Sequence, residues 1–292
     1  MMKSVKSLMT VMALLCGVTV FAQRQFELPL YPGGVPDDNG LGGQEVVAAG
    51  NRVGNVTNPT VTVCLPEGGG RNLPAVVVCP GGGYARLSMD NEGFAVAKWL
   101  NREGIAAVIL KYRMPNGHCT VPLSDAQAAL EMTRAKASEW GIDPAKVGIM
   151  GFSAGGHLAA TATTMFTSPA NRPDFSILIY PVITLDEEFT HWGTRTNLIG
   201  DKPNIPLVRK YSNELNVTPQ TPTVFIALSD DDRAVPSKNS TLFYDALKAN
   251  GVAAELHIYP TGGHGWGFAN PGFKYREEFS ASLRRWLRER TE

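Results

Sequence analysis

The chain has 292 residues, 27 of them basic and 27 acidic, so its formal net charge is zero. Charged residues make up only 18%, which excludes both the basic surface of a nucleic-acid binder and the acidic runs of a disordered tail. Apolar residues reach 43%, enough for one sizeable core, and 30 Gly with 20 Pro and no periodic repeat indicate a globular chain with many tight turns.

In chain order, Lys3 and Lys6 precede a mostly apolar stretch over residues 8–21, and Val20-Phe21-Ala22 ends it before Gln23. This pattern predicts a secretory signal peptide over residues 1–22, too short and wrongly flanked for a membrane span, and hence an exported protein, periplasmic or secreted. Lipid attachment at Cys16 is disfavoured, because Leu15 stands where a small residue is expected. Beyond residue 22 the balance is 25 basic to 27 acidic, which suits an uncharged substrate. Cys64, Cys79 and Cys119 follow with neither CxxC nor metal-ligand spacing. Cys64 and Cys79 end apolar runs and read as buried small hydrophobes; one disulfide among the three is compatible with export, with no pair singled out.

Residues 23–58 are polar and rich in Gly, Pro and Asn, and read as an N-terminal arm leading to a first strand near residues 60–64. Short apolar runs at 75–79, 106–110, 147–150, 176–180, 223–228 and 254–259 predict strands buried on both faces of a mainly parallel sheet. Helical patterns lie between them. One covers 92–103, with Phe94, Ala97 and Leu100 on one side, and another covers 124–140, with Ala126, Ala129, Leu130, Thr133, Ala137 and Trp140. The last sets Tyr275, Phe279, Leu283, Trp286 and Leu287 against an Arg/Glu-rich face. Repeated βα units predict an α/β fold, a doubly wound three-layer sandwich, over residues 59–292. Residues 184–221, interrupted by Pro203, Pro206 and Pro219, read as a small cap or lid inserted between two strands.

The chemistry centres on Gly151-Phe152-Ser153-Ala154-Gly155, a G-x-S-x-G that follows an apolar strand and opens a small-residue helix. In that context the turn is tight enough to strain Ser153 and expose its hydroxyl as a nucleophile, while the glycines let helix and strand approach. A serine hydroxyl needs a base oriented by an acid. Of five histidines, His264 lies in a Gly-rich loop after the last strand, where such a base is expected, whereas His157 reads as a helix residue packed near the site. The acid is expected after the strand at 223–228, where Asp230, Asp231 and Asp232 stand in a row. Three carboxylates cannot all enter one buried site, because like charges disfavour one another's ionisation. Pro80-Gly81-Gly82-Gly83 follows the strand at 75–79, so unobstructed N–H groups there, with that of Ala154, can form an oxyanion hole. No dinucleotide fingerprint, P-loop or H-E-x-x-H is present.

Taken in order, Pro80-Gly-Gly-Gly-Tyr84, Lys111-Tyr-Arg113, Asp125-Ala-Gln-Ala-Ala129, Gly151-Phe-Ser-Ala-Gly-Gly-His157, Asp231-Asp-Arg-Ala-Val-Pro236 and Gly262-Gly-His-Gly265 resemble the α/β-hydrolase superfamily over residues 58–290. More narrowly they are similar to exported bacterial carbohydrate esterases of the acetyl-xylan-esterase-like group. The resemblance implies an α/β-hydrolase fold and a serine esterase that removes acetyl groups from plant-type polysaccharide, with no metal or organic cofactor. It implies Ser153 as nucleophile, Asp231 as acid, His264 as base and Gly82, Gly83 and Ala154 as oxyanion donors. On the esterase reading the acyl pocket is expected near Tyr84 and Trp266, and Trp192 is a candidate to stack on a sugar ring, against the alternative of local core packing. The competing readings are a prolyl-oligopeptidase-like peptidase, for whose accessory domain the chain is too short, a general short-chain carboxylesterase, a lipase, whose apolar lid the polar 184–221 segment does not match, and a non-catalytic glycan-binding protein on the same fold.

Overall fold

The computed structural model describes residues 24–291; the predicted signal peptide lies outside them. Eleven strands are present among the described residues: β1 (Arg24–Pro29), β2 (Val46–Ala48), β3 (Arg52–Gly54), β4 (Thr60–Leu65), β5 (Leu73–Cys79), β6 (Arg86–Ser88), β7 (Ala106–Lys111), β8 (Ile142–Phe152), β9 (Phe175–Ile179), β10 (Thr223–Ser229) and β11 (Ala254–Tyr259). Eight of them form one sheet in the order β1-β4-β7-β5-β8-β9-β10-β11. From β7 onward every neighbouring pair is parallel, whereas β1–β4 and β4–β7 are antiparallel. Val76, Val77 and Val78 of β5 are all fully buried in succession, which requires cover on both faces of the sheet.

The cover is helical: α1 (Ala95–Arg102), entered through a π turn at Asp90–Phe94, then α2 (Thr120–Ala135), α3 (Ala137–Trp140), α4 (Ser153–Thr164), α5 (Trp192–Ile199), α6 (Ile205–Tyr211), α7 (Lys238–Ala249) and α8 (Arg276–Thr291). The apolar stripe of α8 is buried at Phe279, Leu283, Trp286 and Leu287, and Trp286 meets the rings of Phe175 and Phe225 on the sheet. Gly148 on β8 makes room for this layer, since a Cβ there would sit 2.2 Å from the Phe175 ring. The Arg113 and Asp125 motifs have a structural role. Their buried ion pair, 2.6 Å, ties the start of α2 to the chain leaving β7, and Arg113 also donates to the Asp37 carbonyl.

The main correction concerns the N-terminal arm. Its first six described residues form β1, the edge strand of the main sheet, and not a polar lead-in to β4. Further along it, β2 and β3 join β6 in a separate three-stranded antiparallel sheet. Strands of three residues carry too few alternations to register as a period, so neither was legible in the chain. Cys64, Cys79 and Cys119 are all free thiols, and burial raises the Cys64 thiol to about 11. Among the described residues no helix is long and apolar enough to cross a membrane.

Candidate active site

Strand β8 ends at Phe152 and α4 begins at Ser153, with no residue between them. Ser153 turns the chain at φ +53°, a left-handed conformation that costs a non-glycine residue free energy and persists only when its surroundings enforce it. The enforcement is visible at the flanking glycines. A Cβ on Gly151 would lie 2.1 Å from the Gly155 carbonyl oxygen, and one on Gly155 would lie 2.1 Å from the Cys79 carbonyl oxygen. The helix therefore passes directly over β5 and β8.

His264, on the loop after β11, places Nε2 2.8 Å from Ser153 Oγ and Nδ1 2.6 Å from Asp232 Oδ2. A carboxylate only accepts, so Nδ1 carries the proton and Nε2 accepts from the serine hydroxyl. The acid in contact is thus Asp232, not Asp231. Strand β10 ends at Ser229, and the turn after it buries Asp232 while leaving Asp230 and Asp231 exposed. Asp232 Oδ1 accepts from the N–H groups of Ala234 and Val235, both 2.9 Å, which aims Oδ2 at the imidazole. Asp231 instead accepts from the Gly263 N–H at 2.8 Å and braces the histidine loop from outside.

The loop after β5 faces Ser153. Gly82 and Gly83 have φ of +140° and +66°, and glycine is required at Gly82, where a Cβ would also lie 2.1 Å from the Arg86 carbonyl oxygen. Their carbonyls are occupied, Gly82 O by the N–H groups of Ala85 and Arg86 and Gly83 O by Asn197 Nδ2 at 2.7 Å. Their N–H groups meet no acceptor among the described residues, and the Ala154 N–H lies in the first turn of α4, where no intrahelical partner exists. Gly81 differs, because its N–H donates to Glu92 Oε2 at 2.8 Å. Glu92 is buried, and its other oxygen accepts from the Tyr180 hydroxyl at 2.7 Å. That hydroxyl accepts in turn from the Gly267 N–H at 2.9 Å, and the Tyr180 ring meets His264 edge-on at 4.8 Å. Burial raises the Glu92 carboxyl, and the two donors pull it back. One buried carboxyl group thereby connects the glycine loop, the chain after β9 and the histidine loop. The helical pattern at 92–103 placed Glu92 on a predicted helix but offered nothing to mark it as buried.

Ser153 and His264 lie in a cleft of about 820 Å³ lined also by Gly82, Gly83, Arg52, Arg86, Ser88, Asp90, Asn91, His191, Asn197 and Asn270. The 184–221 segment contributes His191, Gly193 and Asn197 to this lining through α5. The three aromatic residues expected to hold substrate are elsewhere. Trp266 is fully buried, stacked 4.2 Å from Phe273, with Nε1 donating to Ser229 Oγ, and supports the histidine loop from below. Tyr84 is buried with its hydroxyl 3.0 Å from His157 Nδ1. Trp192 faces solvent at the start of α5, with the Arg195 guanidinium 5.0 Å above its ring, and does not line the cleft. Aromatic composition cannot separate a core ring from a binding ring; packing decides it.

His157, packed behind the site, has a testable consequence. Its Nε2 donates to the Tyr211 carbonyl at 2.8 Å, so its Nδ1 accepts from Tyr84. Burial lowers its pKa from 6.5 to about 4. The unfolded chain takes up this proton as pH falls through about 6.5 and the folded chain only near 4. Stability conferred by the neutral ring is therefore present above that window and lost on descending through it. On the order of 3 kcal/mol should disappear by this route between about pH 7 and pH 4. Urea unfolding at the two values measures it, and His157→Gln should lose correspondingly less; an equal loss in the variant would refute the assignment.

The BD-FAE family model matches residues 61–247. The chain is 42% identical over 233 residues to an acetylxylan esterase of Xylanibacter ruminicola, covering 77% of this chain and 47% of that protein. It is 34% identical over 212 residues to endo-1,4-beta-xylanase B of Butyrivibrio fibrisolvens, covering 68% of this chain and 33% of that one. The chain thus spans about half, or a third, of the length of these relatives. Among solved structures, an acetyl ester-xyloside bifunctional hydrolase from Caldicellulosiruptor lactoaceticus superposes with a TM-score of 0.75 at 35% identity, covering 90% of this chain and 96% of that one. A strand-to-helix elbow carrying a strained serine, a loop-borne histidine against it and a mainly parallel sheet beneath are thus accompanied by matching sequence along most of the domain, and the chain belongs to the BD-FAE family, with an α/β-hydrolase fold.

Proposed function

We propose that this protein is a serine esterase that removes acetyl groups from xylan-type polysaccharides or their oligosaccharides through an acyl-enzyme. The observation that carries the reading is the Ser153–His264–Asp232 chain, with contacts of 2.8 and 2.6 Å, opening on a cleft beside two glycine N–H groups that meet no acceptor among the described residues. Ser153 Oγ attacks the acetyl carbonyl carbon and passes its proton to His264 Nε2, while Asp232 holds the imidazole and balances its charge. The oxyanion is received by N–H groups of Gly82, Gly83 and Ala154. His264 then returns the proton to the sugar oxygen as the C–O bond breaks. A water molecule, deprotonated by His264, attacks the acetyl-serine, and acetate leaves with Ser153 restored.

Sugar as the leaving group is supported by the lining, where Arg52, Arg86, Ser88 and Asn270 present polar groups suited to hydroxyl groups. It is supported too by the acetylxylan esterase of Xylanibacter ruminicola, with 42% identity. The apolar leader at residues 8–21 after Lys3 and Lys6 supports export to where such polymers occur.

The test is acetate release from acetylated xylan and from a simple aryl acetate, each with and without prior treatment with a serine-directed phosphonate. Release from both substrates, abolished by a single phosphonate adduct mapped to Ser153, is the expected result. Aryl acetate hydrolysis with no release from acetylated xylan or other acetylated glycans would overturn the carbohydrate reading. Inertness toward every ester would overturn the esterase reading itself.

A further inference from the structure

The small sheet that β2 and β3 of the N-terminal arm form with β6 supplies one wall of the cleft. In β3, Val53 is buried, and in β6 its cross-strand partner Leu87 is buried. Register then pairs Arg52 with Ser88 and Gly54 with Arg86, so Arg52, Arg86 and Ser88 share the opposite, outward face. All three line the same cleft as Ser153 and His264. The two arginines occupy diagonal cross-strand positions, about 7–8 Å apart at the backbone, a span across which long side chains converge. Arg86 begins at the glycine loop itself: its N–H donates to the Gly82 carbonyl at 3.2 Å, and its Cγ lies 3.0 Å from where a Gly82 Cβ would project.

Neither guanidinium has a carboxylate within ion-pair distance among the described residues, so both charges stand open to the cleft they line. Two carboxyl groups also line the cleft. Glu92 is buried and engaged by Gly81 and Tyr180, so it is closed to a direct contact, and Arg52 acts on it only through space. Asp90 is exposed and joins no ion pair among the described residues. The wall therefore presents two arginines, planar donor forks that match carboxylate geometry.

We propose that Arg52 and Arg86 form a subsite for a carboxylate carried by the substrate, so that the preferred acetylated oligosaccharide bears a uronate next to the acetylated sugar. This rests on the esterase reading above and departs from the neutral substrate suggested by the overall charge balance. Net charge averages over the whole surface, whereas recognition depends on the few groups that face the bound sugar.

The experiment compares kcat/KM on an acetylated xylo-oligosaccharide bearing one glucuronate branch with that on the same compound after reduction of the carboxyl to an alcohol. The native enzyme should prefer the acidic form at least about tenfold, mainly through KM, and the preference should shrink as salt rises. The double variant Arg52→Gln, Arg86→Gln should bring the ratio close to one, while Arg209→Gln, which removes a charge from exposed α6, should keep it. Equal kcat/KM on the two substrates by the native enzyme would overturn the subsite without needing any variant, as would an unchanged preference in the folded double variant. Absence of acetate from both oligosaccharides and from an aryl acetate would instead overturn the esterase reading, and the subsite with it.

Discussion

Asp232→Asn is expected to lower kcat on an aryl acetate by about 10⁴-fold, and Asp231→Asn by less than tenfold. The two residues are neighbours in a run of three carboxylates, yet they stand in different environments. Asp232 is buried, with one oxygen fixed by the N–H groups of Ala234 and Val235 and the other 2.6 Å from His264 Nδ1. An asparagine there presents an NH₂ to a nitrogen that must itself donate. The imidazole is then held in the wrong tautomer, with a proton on Nε2 where it must accept one from Ser153. Asp231 is exposed and accepts one N–H, from Gly263, a role that an asparagine carbonyl retains. Steady-state kinetics on the two variants, with melting curves to show that both fold, decides the assignment. A large loss confined to Asp231→Asn would reverse it.

Gly155→Ala should destabilise the fold by more than about 4 kcal/mol, or abolish soluble protein altogether. Helix propensity alone predicts the opposite, a gain of about 1 kcal/mol for alanine over glycine inside a helix. The tertiary setting reverses the sign. The added Cβ would lie 2.1 Å from the Cys79 carbonyl oxygen and 2.4 Å from that of Pro80, both backbone atoms at the end of a central strand. Neither can yield without moving β5 or the glycine loop, and with them the geometry around Ser153. Chemical denaturation measures the loss, with Gly33→Ala as reference. A Cβ at Gly33 meets nothing within 4 Å, so that change should stay within about 0.5 kcal/mol. A Gly155→Ala protein as stable as the reference would show that helix and strand are not packed as closely as described.

Both predictions turn on the border between local and long-range information. The elbow was legible because its causes are local. An apolar run ends, glycines flank a serine, and a small-residue helix begins, so the strained turn and its exposed hydroxyl follow from a dozen consecutive residues. His264 was legible for a related reason, since its Gly-rich loop after the last strand restricts where the side chain can lie. The six predicted runs from residue 75 to residue 259 each fall within an observed strand or overrun its end by one residue, and the five inner ones are apolar because they are buried on both faces. The run at 254–259 departs from that expectation, since β11 is an edge strand that is only partly buried and carries Glu255 and His257.

The rest depended on register and loop closure between distant segments. Three successive aspartates have equal claims as a sequence, and only the turn after β10 buries one and exposes two. Tyr84 and Trp266 were expected at the substrate, yet each turns inward to a packing partner, His157 and Phe273 respectively. Glu92 joins three loops through Gly81, Tyr180 and Gly267, a relation that no spacing encodes. Arg52 and Arg86, separated by β4, β5 and the glycine loop, share one face only because β3 pairs with β6. The chain alone thus determined the fold class and singled out Ser153 and His264 for the roles proposed here, where local stereochemistry leaves few choices. The acid, the supporting carboxyl group and the charged wall of the cleft were decided by tertiary structure, because each is defined by which side of a strand or turn faces inward once distant segments have paired.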